Sequence, residues 1–251
     1  MHTFSDTNTI VVGASRGLGH GIATALADTG ASVVAVSRTT PEFPARADGA
    51  GRIQSAIADA GEPTVAATLI DRYQPGTVIL VAGAKPHMRP LQQQTWETFS
   101  VNWPTDVRIT FHWLREALLT PLRPGSRVVV FSSGAALNAG GSPLSGGYAG
   151  AKATQRFITG YAQDEANRAG LDLTFTTVMP QFAPLTDVGR AAVQAYAARA
   201  GLSVEDFLET QTFPLLSPEI AGTAMVTLVQ ADATSVAPAY VLNGAGLHEI
   251  P

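Results

Sequence analysis

Tyr148 and Lys152 stand four residues apart in a stretch of helical spacing, Gly146 to Ala169. Positions four apart share a helix face, so the ammonium lies beside the phenol oxygen and favours its ionised form. The pair thereby turns an inert phenol into a proton donor and acceptor. With five tyrosines and two lysines in 251 residues, a chance match at this spacing is rare. Upstream, the apolar run Arg127 to Phe131 ends in Ser132-Ser133. That puts a hydroxyl at the carboxyl edge of a strand, where open α/β sheets bind their ligands. Ser133 there would polarise a carbonyl oxygen.

A second constellation lies near the amino end. The run Thr9 to Val12 passes directly into Gly13-Ala14-Ser15-Arg16-Gly17-Leu18-Gly19, and an amphipathic segment follows. Glycines in this context allow a tight turn and let backbone N–H groups approach a pyrophosphate at a helix N-terminus, where the helix dipole favours anions. The spacing Gly-x3-Gly-x-Gly therefore predicts a dinucleotide cradle, the bland alternative being a tight turn with no ligand. The second strand ends in Ser37-Arg38 with no acid to accept from a ribose 2′-hydroxyl. Ser37, Arg38 and Arg16 form a 2′-phosphate site by charge and fork geometry, which predicts NADPH/NADP+ over NADH. A solvated Arg38 is the alternative there.

The elements that must hold these groups alternate along the whole chain. Apolar runs predict strands over Thr9–Val12, Ser32–Val36, Arg52–Ala56, Thr77–Val81, Arg127–Phe131, Asp172–Val178 and Ala239–Leu242. Their near-continuous apolar character implies burial on both faces, as a parallel sheet demands. Helical spacing covers Gly17–Thr29, Pro63–Tyr73, Thr95–Leu119, Gly146–Ala169 and Pro218–Val229. The expected fold is α/β: one Rossmann-type domain over residues 1–251, a doubly wound parallel sheet of about seven strands with helices on both faces. About forty residues, Pro180 to Ser217, exceed a normal αβ connection. Its helical parts, Val188–Ala200 and Ser203–Glu209, predict a substrate-binding lid within 181–217.

Composition narrows the function classes. Forty-five per cent apolar residues suffice for a full core, while 14% charged residues and a net charge of −4 leave no cationic field for nucleic acid. Zero cysteines exclude disulfides, thiolate metal sites and a cysteine nucleophile. His2, His20, His87, His112 and His248 show no ligand-like spacing with acids, so no metal is expected. No run approaches the roughly twenty apolar residues of a membrane span, and Met1 to Asn8 lacks a cationic leader pattern. The expectation is a soluble, cytoplasmic protein.

Together these motifs resemble the short-chain dehydrogenase/reductase family, in its NADPH-preferring type, over essentially the whole chain. The resemblance implies a catalytic set of Asn102, Ser133, Tyr148 and Lys152. It further implies cofactor contacts from Gly13, Ser15, Arg16, Gly17, Leu18, Gly19, Ser37, Arg38, Asp59, Ala60, Ala82, Gly83, Pro180 and Thr186, besides Tyr148 and Lys152. Asp59 falls where the family contacts adenine, and Thr186 where it meets the carboxamide. Reversible hydride transfer between nicotinamide and a carbonyl or alcohol carbon is the implied reaction. Tyr148 gives its proton to the developing alkoxide while Ser133 bonds the same oxygen, and Asn102 places a water that refills the proton through Lys152. By the same analogy the chain forms a homo-oligomer, dimer or tetramer, through its long helices.

Several residues depart from the family pattern. Val12 replaces a threonine, Leu80-Val81-Ala82-Gly83 replaces Asn-Asn-Ala-Gly, and Pro180-Gln181 replaces Pro-Gly. The stretch from Ser133 to Tyr148 is slightly long and contains Gly140-Gly141-Ser142-Pro143, so Ser142 or Ser145 competes with Ser133 for the carbonyl role. Ser133, Leu137, Leu144, Tyr148, Gln181, Phe182 and Leu185 are expected to form a mostly apolar substrate pocket, with Tyr196 from the lid and His87, Met88 and Trp103 near its mouth. That favours reduction of a hydrophobic ketone, a small-molecule partner. Alcohol oxidation, imine reduction or epimerisation uses the same tetrad, and a non-catalytic NADPH-binding sensor or scaffold is the rival from another class.

Overall fold

The β-branched run at the amino end forms β1 (Asn8–Val12), whose residues alternate between two separate cores. A computed structural model describes residues 8–45, 51–138 and 142–250. The leader reading of Met1 to Thr7, His2, and Gly140 and Gly141 lie outside the described residues. The remaining strands are β2 (Ser32–Ser37), β3 (Ile53–Ile57), β4 (Thr77–Leu80), β5 (Ser126–Phe131), β6 (Leu173–Pro180), β7 (Ala239–Asn243) and β8 (Gly246–Glu249). They form one sheet in the order β3-β2-β1-β4-β5-β6-β7-β8. Every pairing is parallel except β7 with β8.

One face of the sheet carries Val11, Val33, Ala35, Ile79 and Val129 against α1 (Gly17–Asp28) and α8 (Pro218–Gln230). The opposite face carries Ile10, Val34, Val78, Val128 and Val130 against α2 (Val65–Tyr73), α4 (Arg108–Leu119) and α5 (Gly146–Arg168). Because period-two alternation feeds apolar residues to both sides, the strands read as continuous apolar runs. The doubly wound α/β architecture expected from the sequence is thus present. None of the described helices is long and apolar enough to cross a membrane.

Three details differ from the sequence reading. The sheet has eight strands rather than seven: β8 folds back through Asn243-Gly244-Ala245-Gly246, where Asn243 Oδ1 accepts from the Ala245 N–H at 2.8 Å and Gly246 takes φ +107°. An Asn-Gly pair before an alternating tail is a hairpin signal that the sequence reading did not use. The predicted helix Thr95–Leu119 is split into α3 (Trp96–Ser100), a π turn (Trp103–Val107) and α4. Pro104 has no N–H to continue the α3 ladder, so the chain widens by one residue before resuming. Strand β6 runs on to Pro180, paired with Leu242.

The long connection after β6 contains α6 (Asp187–Ala200) and α7 (Val204–Glu209). Thr186 caps α6 and Ser203 caps α7, each accepting an N–H three residues on. Phe182 packs edge-on to Phe207 at 5.9 Å and stacks with Phe213 at 6.4 Å, which ties the segment together.

Candidate active site

The chain leaves β1 to build β2 and β3 on one side, then returns to β4 on the other. That reversal opens a crevice at the carboxyl ends of β1 and β4, the switch point where open α/β sheets take their ligands. The crevice here is a cleft of about 1060 Å³. Its floor is tight because Gly13, at φ +92°, would place a Cβ 2.6 Å from the Ala82 backbone nitrogen. Gly19 in turn sits against the Gly13 carbonyl. Only glycine permits these approaches.

Gly13, Ser15, Arg16, Gly17, Leu18 and Gly19 all border the cleft. Arg16 occupies the N-cap of α1 without a side-chain hydrogen bond, so no side chain caps the first N–H groups of the helix. An uncapped helix end above a glycine floor suits a pyrophosphate in both charge and space. Ser37, Arg38, Asp59, Ala60, Ala82, Gly83, Pro180 and Thr186 also border the cleft. The residues present therefore fit a dinucleotide.

Several of these side chains are already engaged. Ser37 donates to the Thr39 carbonyl at 2.7 Å, and Asp59 accepts from the Gly61 N–H at 2.9 Å. Thr186 donates to the Ala183 carbonyl at 2.8 Å while capping α6, so its hydroxyl is held by its own turn. Arg16 reaches across to Asp187 at 3.2 Å rather than towards Arg38. Both partners are more than half exposed, so this pair contributes little to stability.

Further along the cleft, Ser133, Tyr148 and Lys152 come together from β5 and α5. Helix α5 is fixed to the strand end where Ser132 Oγ donates to the Lys152 carbonyl at 2.6 Å. Gly147 lets the start of α5 pack on the Phe99 carbonyl, where a Cβ would collide. Lys152 Nζ lies 5.6 Å from the Tyr148 ring centre and donates to the Phe131 carbonyl at 3.2 Å. Ser133 Oγ accepts from the Ala135 N–H at 3.2 Å, leaving its own proton available to the cleft. Ser142 and Ser145 are otherwise occupied: their hydroxyls bond each other at 2.6 Å and both contact Tyr196 Oη, at 2.9 and 3.2 Å.

The sequence reading missed Asp106. Its side chain is fully buried on the π turn, and Oδ2 lies 3.1 Å from Lys152 Nζ. Oδ1 accepts from the Ala84 N–H at 2.7 Å and from Asn102 Nδ2 at 3.3 Å. Asn102 Nδ2 also donates to the Ala84 carbonyl at 2.8 Å. Asn102 is itself buried behind the cleft rather than on its wall. Burial pulls the Lys152 ammonium down, but Asp106 and then Tyr148 outweigh it, and the ammonium is held above the usual lysine range. An acid four residues after Asn102, and four before Thr110, on a stretch of helical spacing was the available signal.

The substrate residues divide. Leu137, Gln181 and Phe182 line the cleft, joined by Val188, Ala192, Tyr196, Phe207 and Phe213 from the long connection. Leu144 and Leu185 do not: Leu144 is buried outside the wall, and Leu185 is 66% exposed. Gln181 Oε1 accepts from Asn243 Nδ2 at 3.1 Å, which turns its amide towards β7. Met88 borders the cleft, whereas His87 and Trp103 do not. Among the described residues no cluster of three metal-ligating side chains occurs.

The short chain dehydrogenase family profile matches residues 7–197. A hydroxynaphthalene reductase-like protein, Arp2 of Metarhizium majus, is 32% identical over a 175-residue alignment covering 63% of this chain and 62% of the relative. The chain thus matches about three fifths of that relative's length. A short-chain type dehydrogenase/reductase from Mycobacterium ulcerans superposes with a TM-score of 0.78 at 23% identity, over 98% of this chain and 94% of that one. The alcohol dehydrogenase of Thermococcus sibiricus, solved in complex with 5-hydroxy-NADP, gives 0.73 at 17% identity over 98% and 99%. At these identities the two structures speak to the fold. With the family profile spanning most of the sequence and the fold matching throughout, this chain belongs to the short-chain dehydrogenase/reductase family of oxidoreductases.

Proposed function

We propose that the protein is an NADP(H)-dependent oxidoreductase that reduces a hydrophobic ketone, with Tyr148 as general acid and base. The observation that carries this reading is the convergence of Ser133, Tyr148 and Lys152 on the same cleft that the glycine loop floors. A nicotinamide bound in that cleft supplies or accepts the hydride. Tyr148 donates its proton to the oxygen that gains charge, and Ser133, with a free hydroxyl proton, bonds the same oxygen. Lys152 provides a fixed positive charge beneath the phenol, 5.6 Å from the ring centre.

Aromatic and aliphatic side chains, among them Phe182, Phe207, Phe213 and Leu137, favour an apolar substrate, and the segment 181–217 acts as its lid. The similarity to a hydroxynaphthalene reductase-like protein points the same way, towards an aromatic carbonyl compound. Preference for the phosphorylated dinucleotide rests on Arg38 at the end of β2, exposed and bordering the cleft with no acid on that strand end. The Thermococcus sibiricus structure, with its 5-hydroxy-NADP, is consistent with that choice. In a side-by-side titration, NADPH is expected to bind about ten- to hundredfold tighter than NADH, from one or two hydrogen bonds to charged groups. Arg38→Asp should reverse the order. Equal affinities in the wild type would sink the NADPH assignment.

The chain is also expected to self-associate into a dimer or tetramer. Phe111 and Leu119 on α4 and Phe157 and Tyr161 on α5 are each more than half exposed, although the two helices pack side by side. Sedimentation velocity at micromolar concentration should give a multiple of the chain mass. A monomer there overturns this expectation.

A further inference from the structure

The buried ion pair beneath Tyr148 has a polar construction that hydride chemistry alone does not require. Lys152 is 4% exposed and Asp106 is fully buried, so neither charge is offset by water. Isolated charges in such a place are costly, and they persist when paired and hydrogen-bonded. Oδ2 of Asp106 is buried with no hydrogen bond of its own, and the Lys152 ammonium at 3.1 Å is its partner. Oδ1 holds the Ala84 N–H and the Asn102 amide. Strand β4 ends in Leu80, followed by Val81 and Ala82, so the backbone at Ala84 takes its side-chain partner from Asp106. Gly83 makes room for this: a Cβ there would fall 2.6 Å from Asp106 Oδ2. Gln155 Nε2, donating to the Asp106 carbonyl at 3.1 Å, fixes the π turn against α5 from the other side.

We propose that Asp106 is a positioning residue of this site: it fixes Lys152 Nζ against the end of β5 and supplies the counter-charge that keeps it an ammonium, while bracing the cleft floor at Ala84. The inference rests on the proposed reaction only for its catalytic consequence. The charged or titratable groups facing Lys152 are Asp106 from the π turn and Tyr148 from α5. Strand β5 offers it a neutral carbonyl at Phe131. The remaining charges bordering the cleft, Arg16, Arg38, Asp59, Lys85, Arg108 and Asp187, are all on exposed residues. Among the described residues Lys152 thus has a single buried anion to rely on. Without it, Tyr148 is the one remaining group that opposes desolvation, and the pH at which the ammonium loses its proton falls.

The chain contains two lysines, Lys85 and Lys152, which makes the test direct. With 13C-labelled lysine incorporated, the two Cε signals are followed against pH in the protein without added cofactor. In the wild type, Lys152 should titrate no lower than an ordinary lysine despite its burial, and a clearly lower midpoint overturns the proposal without any variant. In Asp106→Asn, which keeps shape and the Oδ1 acceptor, the Lys152 midpoint should fall by about one pH unit or more. A folded variant, by circular dichroism, whose Lys152 midpoint is unmoved would also overturn it. If Asp106→Asn does not fold, the wild-type midpoint of Lys152 decides alone, and a value clearly below that of an ordinary lysine overturns the proposal. A wild type that reduces no carbonyl compound would instead remove the proposed reaction and leave the lysine titration standing.

Discussion

Tyr148→Phe should lower turnover of any accepted ketone by roughly 10³-fold or more, since it removes the group that gives its proton to the reacting oxygen. NADPH affinity should stay within a few-fold, because the ring and its packing over Lys152 remain. Ser133→Ala should cost less, about a hundredfold, as the loss of one hydrogen bond to a developing oxyanion. Ser142→Ala should fall mainly on KM, since that hydroxyl is tied to Ser145 and Tyr196 rather than aimed at the reacting carbon. Steady-state rates with an aromatic ketone, beside a fluorescence titration with NADPH, check all three. Retention of more than a tenth of wild-type turnover by Tyr148→Phe would mean that another group carries the proton.

The second large effect is on the cleft floor. Gly13→Ala should destabilise the fold by about 3 kcal/mol, combining left-handed backbone strain with a forced displacement of β4. The backbone there has φ +92°, and the new Cβ would stand 2.6 Å from the Ala82 nitrogen. For a domain of this size the melting temperature should drop by about 10 °C. NADPH binding should weaken in parallel, because β1 and β4 separate under the bound pyrophosphate. Thermal unfolding followed by circular dichroism, with and without NADPH, reads both effects. Gly30→Ala is the control for conformational strain alone: its φ is also +92°, yet nothing lies within 4 Å of the added carbon. A Gly13→Ala protein no less stable than Gly30→Ala would show that the close approach to Ala82 carries no weight.

Much of the site was legible before folding because the relevant pairs are local. Tyr148 and Lys152 are joined by one turn of α5, and Gly13 to Gly19 are contiguous, so helix periodicity and turn chemistry suffice to relate them. Ser133 needed only the observation that a strand ends there. The split of the helix at Pro104 was also present in the residue type, and the sequence reading passed over it in favour of the longer helical period. The same happened with the turn before β8, whose Asn243-Gly244 pair is a recognised hairpin signal.

Composition and periodicity by themselves determined the layers of this protein and the parallel run of its sheet from β1 to β7. Tertiary structure alone decided the partners of the reactive groups. Asp106 meets Lys152 across 46 positions of sequence, and Tyr196 reaches Ser142 across 54, although each is separately an ordinary polar residue on a helical stretch. It also turned Leu185 outward, buried Leu144 outside the cleft and engaged the Thr186 hydroxyl in its own helix cap. The reason is physical: local pattern sets which face of an element is buried, whereas a hydrogen bond or ion pair depends on distances of a few ångströms between elements. Those distances are fixed only when both faces of the sheet are packed.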